Sequence, residues 1–200
     1  MGGTFNPIHY GHLVTAEEAR IQFNLDRVIF IPAGDPYYKK GQKIVTAQQR
    51  YLMTIMATGS NPYFYVSRIE IDRHKPTYTI DTLIELNKIY KDSQFFFITG
   101  ADAVLDILTW KNPDDILNLC TFIAATRPGY DMSKIDEIKK KLKDEREITN
   151  INTKIHIIRI PALAISSTDI RNRVKEGKPI RYLLPEGVVN HIYKMGFYKE

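Results

Sequence analysis

Two hydrophobic rhythms alternate along the 200-residue chain. Short runs rich in β-branched and aromatic residues read as strands: RVIFIP (27–32), FYVSRIEI (64–71), FFFITG (95–100), TFIAAT (121–126) and KIHIIRI (154–160). Between them, HLVTAEEARIQF (12–23), TAQQRYLMTIMATG (46–59), TIDTLIELNKIY (79–90) and PDDILNLC (113–120) carry helical spacing. In the third of these, Ile80, Leu83, Ile84 and Leu86 to Asn87 form the expected apolar stripe. Strands alternating with helices predict parallel βαβ units, wound right-handed so that helices cover both faces of the sheet. The expectation is an α/β fold with a Rossmann-like, doubly wound parallel sheet.

The last 40 residues lose that alternation. ALAISSTDIRNRVKEGKP follows Pro161 and reads as a polar helix stopped by Gly177 and Pro179. PEGVVNHIYKMG, after Leu184, reads as a final helix. With no long linker between them, residues 1–200 are expected to form one domain, 1–160 its core and 161–200 a helical C-terminal part.

Composition narrows the classes. The chain is 44% hydrophobic and 26% charged, an ordinary globular balance. No apolar run reaches the roughly 20 residues needed to span a bilayer, and the N-terminus has no basic-then-apolar signal pattern, so no membrane partner is expected. The single cysteine, Cys120 in CTFIAAT, reads as a buried strand residue in a reducing compartment, which points to the cytoplasm. The net charge of +5 suits a polyanionic ligand. The longest charged stretch, Lys134 to Glu147, mixes both signs at helical spacing and reads as a solvated helix face rather than a nucleic-acid patch.

Two constellations carry candidate chemistry. The first is GGTFNPIHYGH (2–12), glycines leading into a helix that begins with two histidines three residues apart. Glycines permit close backbone approach to a phosphate, and free N–H groups at a helix start bind anions. His9 and His12 lack a third ligand with metal spacing, so their natural task is to donate hydrogen bonds to phosphate oxygens. Neither GxGxxG nor GxxxxGK[ST] is present. The second is ISSTDIR (165–171), where Ser166 or Ser167 serves as an N-cap while the hydroxyls and Arg171 form a second anion cradle. Two cradles on one sheet fit a nucleoside triphosphate better than a monophosphate.

His9-Tyr10-Gly11-His12 behind GTFNP, together with ISSTDIR, resembles the nucleotidyltransferase superfamily with the HIGH-type histidine pair. KPTYTIDTL (75–83), FFFITGADAVLDILTW (95–110), ATRPGY (125–130) and YLLPEGVVNHIYKMGFY (182–198) narrow the resemblance to bacterial nicotinate-nucleotide adenylyltransferases, over essentially the whole chain. That resemblance implies the joining of nicotinate mononucleotide to ATP, giving deamido-NAD and pyrophosphate. The attacking 5′-phosphate has a second pKa of about 6, so it is ionised at neutral pH and needs no protein base.

The resemblance assigns residues by position. Gly2, Gly3, Thr4 and Phe5 hold the nucleotide; His9 and His12 bind triphosphate oxygens and stabilise developing charge. Ser167, Thr168 and Arg171 hold the β- and γ-phosphates, with Mg²⁺ bridged by those phosphates and not by protein side chains. Asp102, in Gly100-Ala101-Asp102, contacts the nucleotide ribose. Thr79 and the backbone near Trp110 and Lys111 hold the nicotinate end, with Trp110 stacked on the pyridine ring or else serving as an ordinary core aromatic.

Two features depart from the family. Many members have a PPHK-like run where this chain has Asp35 to Lys39; Lys39 is kept as a phosphate contact, while Tyr38 stands at the histidine position. Members usually carry about half a dozen apolar residues ahead of the glycine loop, enough for an ordinary strand. Here Met1 alone precedes Gly2, so the first strand is expected to be missing and its buried neighbours left unpaired. A sibling transferase with another phosphate acceptor and a non-catalytic nucleotide-binding domain are the alternatives, as monomer or homodimer.

Overall fold

The computed structural model describes residues 1–34, 44–73, 76–126, 131–146, 151–161 and 164–199. In chain order the elements are β1 (Gly2–Gly3), α1 (Tyr10–Gln22), β2 (Val28–Pro32), α2 (Ala47–Thr58), β3 (Phe64–Val66), α3 (Thr79–Ile89), β4 (Phe96–Gly100) and α4 (Ala101–Leu105). After a 3₁₀ turn (Ile107–Thr109) come α5 (Pro113–Leu119), β5 (Thr121–Thr126), α6 (Ser133–Arg146), α7 (Ile151–Lys154), β6 (Ile155–Arg159), α8 (Ser167–Lys175) and α9 (Glu186–Met195). The chain divides into two compact units, Met1–Pro76 with Leu163–Glu200, and Thr77–Ala162.

The first unit holds a parallel sheet in the order β1-β2-β3. Gly2 lies opposite Ile31, and Val28 opposite Phe64. The first strand, expected to be missing, is present as a short one. The Met1 terminal amine donates to the Ile29 carbonyl at 2.8 Å, and the N–H groups of Ile31 and Ala33 donate to Met1 and Gly3 at 2.9 Å each. The glycines expected as loop therefore form the ladder themselves, and β2 is paired along its length. The loop proper begins at Thr4.

β3 is shorter than the run 64–71 predicted. The Ser67 N–H still donates to Phe30, but the Ser67 hydroxyl then accepts from the Ile69 N–H and the Asp72 N–H returns to Arg68, so the chain turns. The C-terminal helices belong to this unit. Both end where the sequence places glycine, Gly177 and Gly196, with φ of 68° and 67°, the left-handed conformation that closes a helix at low cost.

The second unit holds the parallel sheet β4-β5-β6, with β5 buried at every position. Leu83, Val104, Ile116, Phe122, Leu142 and Ile155 meet in its core. In α3, Ile80, Leu83 and Leu86 are buried as expected, whereas Ile84 is 41% exposed. The charged stretch in α6 is solvated except for a stripe of Ile135, Ile138 and Leu142. No described helix is long and apolar enough to cross a membrane.

Candidate active site

The loop from Thr4 to Pro7 leaves β1 and delivers the chain to α1. Phe5 turns it in the left-handed region, at φ 48°, and its buried ring fills the space above Gly3. His9 is the N-cap of α1 and His12 sits one turn in, so both rings stand at the helix start. They stack with centroids 3.8 Å apart at 28°, and Phe5 meets His12 edge-on at 5.1 Å.

The His9 N–H donates to Nδ1 of His12 at 3.2 Å. Accepting there places the ring proton of neutral His12 on Nε2, leaving that nitrogen as the donor. Burial, and secondarily the charge of His9, hold the His12 pKa well below its ordinary value of 6.5, so the neutral form prevails at neutral pH. No acidic residue lies in the first turn of α1 to offset its partial positive charge.

α8 comes to the same loop. Ser166 is its N-cap and accepts from the Asp169 N–H at 3.0 Å. The neighbouring Ser167 hydroxyl donates to the Pro7 carbonyl at 2.8 Å. Arg171 donates from Nη1 to the Asn6 carbonyl at 2.9 Å and from Nη2 to the Thr168 hydroxyl at 3.1 Å. The two cradles read separately in the sequence are thus one place, where the first turn of α8 is tied to the loop that opens α1.

In the second unit, Gly100 is the N-cap of α4 and Asp102 lies in its first turn, both exposed. Thr79 opens α3. The Lys111 ammonium lies 4.6 Å from the Tyr78 ring centroid and 3.7 Å from Asp81, so it is drawn to the residues flanking Thr79. Trp110 is half-buried, packed against Phe97 and Phe122 at centroid distances of 5.8 and 6.1 Å. It is a core aromatic on that side and accessible on the rest. Lys39 and Tyr38 fall outside the described residues. Cys120 is buried as expected but caps α5 just ahead of β5 instead of lying in the strand, and burial raises its thiol to about 12, which removes it as a nucleophile.

Three residues of this neighbourhood escaped sequence reasoning. Arg50 of α2 is 1% exposed and donates to the carbonyls of Thr4, Ala33, Gly34 and Val45. Asn6 is buried, and its side-chain oxygen accepts from the Val45 N–H and the Tyr198 hydroxyl. One signal was legible: Arg50, Met53, Thr54 and Ala57 share a single helical stripe, and an arginine within a buried stripe needs carbonyls to meet it.

The chain matches the Cytidylyltransferase-like family over residues 1–173. It is 56% identical to a probable nicotinate-nucleotide adenylyltransferase of Thermoanaerobacter sp., covering 100% of this chain and 93% of that relative. It is 55% identical to one of Moorella thermoacetica, covering 100% and 90%. Among solved structures, the nicotinic acid mononucleotide adenylyltransferase of Plasmodium falciparum complexed with NaAD shares the fold, with a TM-score of 0.78 at 18% identity over 99% of this chain and 95% of that one. With full-length relatives at this identity, the chain belongs to the nicotinate-nucleotide adenylyltransferase family.

Proposed function

We propose that the protein transfers the adenylyl group of ATP to nicotinate mononucleotide, releasing pyrophosphate and forming deamido-NAD. The observation that carries this reading is the meeting of two helix starts on one loop. His9 and His12 open α1, while Ser167 and Arg171 in the first two turns of α8 bind the same Asn6–Pro7 segment. Such a site is built to hold several phosphate groups and to take up negative charge as pyrophosphate leaves.

The acceptor phosphate is already ionised and supplies its own nucleophile. The α–β phosphate bond of ATP breaks as a new bond forms from the acceptor oxygen to the α-phosphorus. Neutral His12 donates through Nε2 to an oxygen whose charge grows in that step, and the α1 N-terminus reinforces it. His9, stacked on His12, belongs to the same triphosphate contact. Ser167, Thr168 and Arg171 are assigned to the β- and γ-phosphates; Gly2, Gly3, Thr4 and Phe5 to the nucleotide; Asp102 to the ribose. Thr79, Trp110 and Lys111 are assigned to the nicotinate end.

Mg²⁺ supplies charge neutralisation on the triphosphate. The phosphates, rather than protein side chains, would carry the ion. A cytoplasmic location is part of the same proposal, since Cys120 is a free buried thiol and ATP is the donor.

The test is pyrophosphate release with ATP, Mg²⁺ and a panel of acceptors: nicotinate mononucleotide, nicotinamide mononucleotide, phosphopantetheine and glycerol 3-phosphate. Nicotinate mononucleotide should far exceed the others. Equal rates with the amide would refute the acid preference, and release with another acceptor alone would refute the reaction assigned.

A further inference from the structure

Arg50 stands behind the loop, one helical turn into α2. Its Nη1 donates to the Thr4 carbonyl at 2.7 Å, and its Nη2 donates to the Ala33 and Gly34 carbonyls at 2.6 and 3.0 Å. Its Nε donates to the Val45 carbonyl at 3.0 Å. One guanidinium thus grips the loop leaving β1, the chain leaving β2 and the entry to α2. A planar fork with five donors can do this; an ammonium with three donors on one atom cannot reach all of them.

The grip has a direction. The Thr4–Phe5 peptide is trans, so its carbonyl and N–H point opposite ways. Holding the Thr4 carbonyl toward Arg50 turns the Phe5 N–H away from α2. Phe5 itself sits in the left-handed region, a conformation unfavourable for a bulky side chain unless its surroundings enforce it.

The same bracket continues on the other side of Val45. The Val45 N–H donates to Oδ1 of Asn6 at 3.3 Å, and the Tyr198 hydroxyl donates to that oxygen at 2.9 Å. Asn6 is 4% exposed, so its side chain is fixed from within. Burial raises the Tyr198 pKa well above the ordinary phenol value, against the opposing influence of Arg171 and Arg50, and keeps the hydroxyl a donor. The Asn6 carbonyl is the one that Arg171 binds. Arg50 and Tyr198 therefore hold, from behind, the segment whose other contacts are the phosphate-site residues.

We infer that Arg50 and Tyr198 are positioning residues for ATP: together they set the Thr4–Phe5 peptide and Asn6, and through them the donors that the loop presents to the nucleotide. This rests on the triphosphate site proposed above. It assigns neither residue a contact with substrate.

The experiment compares wild type, Arg50→Lys and Tyr198→Phe as full chains. Calorimetry gives the Kd for the non-hydrolysable analogue α,β-methylene-ATP with Mg²⁺, steady-state kinetics give both KM values, and ¹⁵N-phenylalanine labelling follows the Phe5 amide. Arg50→Lys should weaken the analogue about tenfold and Tyr198→Phe about threefold, the costs of losing charged and neutral hydrogen bonds. The KM for nicotinate mononucleotide should move less than about twofold in both, as expected for a loss confined to the ATP loop. The Phe5 amide resonance should shift in both before any ligand is added.

A merely structural role would lower Tm and leave the Kd of the folded fraction unchanged, which overturns the inference. If Arg50→Lys fails to fold, Tyr198→Phe decides, and wild-type affinity in that variant overturns it. Wild type that binds the analogue but makes no deamido-NAD refutes the acceptor reading alone, and the binding comparison still decides this one. Wild type that does not bind the analogue overturns the inference.

Discussion

Gly11→Ala separates the fold from the chemistry. Gly11 lies between the two histidines in the first turn of α1. A Cβ built there stands 3.0 Å from both Cε1 and Nδ1 of the His9 ring, while the Ile165 carbonyl lies at an ordinary 3.5 Å. Unstrained contacts begin at about 3.5 Å, so the His9 ring must retreat by about 0.5 Å. It is stacked on His12 at 3.8 Å, and His12 is held edge-on by Phe5 at 5.1 Å, so the shift passes into the pair. A misplacement of about 1 Å at a catalytic constellation costs about a hundredfold in rate; half of that predicts a loss of about tenfold. The backbone pulls the other way. Gly11 does not have positive φ, and alanine in a helix is favoured over glycine by about 0.5–1 kcal/mol, which offsets the steric push. Tm should therefore hold or rise slightly while deamido-NAD formation at saturating substrates falls about tenfold. Thermal melts by circular dichroism and a coupled product assay read the two. Turnover within about twofold of wild type, with Tm unchanged, would falsify the claim that the placement of the His9–His12 pair matters to the reaction.

Other outcomes follow from the same geometry. Because the folded His12 takes up its proton at lower pH than the unfolded chain does, its contribution to stability is complete above about pH 6.5 and drains as pH falls from there through the folded value. The unfolding free energy of wild type from urea titration should thus fall more between about pH 7.5 and about pH 5 than that of His12→Gln, by up to about 1.4 kcal/mol per pH unit; equal declines would show that His12 titrates normally. Trp110→Ala should cost about 2 kcal/mol by removing its contacts with Phe97 and Phe122, and should raise the KM for nicotinate mononucleotide about tenfold with little change for ATP. An effect confined to ATP would mean that the acceptor residues are misassigned. Ser166→Ala should cost about 1 kcal/mol of stability through the lost cap and leave the KM for ATP near wild type, whereas Ser167→Ala should raise that KM about tenfold. The reverse pattern would exchange the roles of the two serines.

Which parts of this protein are legible in its sequence depends on what each side chain is paired with. TFIAAT reads as a buried strand because all six positions need apolar cover, and β5 spans Thr121–Thr126 as expected. Gly177 and Gly196 read as helix stops because left-handed backbone favours glycine, and both adopt it. ISSTDIR reads as a helix start because a serine hydroxyl there can meet a free N–H, and Ser166 caps α8 as expected. FYVSRIEI misleads beyond Val66 because the Ser67 hydroxyl competes for the Ile69 N–H, a choice that apolar alternation does not encode. Ile84 misleads because the stripe of α3 is narrower than its periodicity suggests. Arg50, Asn6 and Tyr198 fail for a deeper reason. Arg50 is matched to main-chain carbonyls, and every residue carries one, so no partner type marks the site. Asn6 and Tyr198 meet across nearly the whole chain, and only the fold brings them together. The same blindness applies to Arg171, whose residue type suggests a phosphate ligand while its Nη1 also fixes the Asn6 carbonyl. Sequence motifs thus point to groups whose chemistry suits a ligand, whereas groups that brace the loop from behind bind backbone and leave almost no trace in residue type.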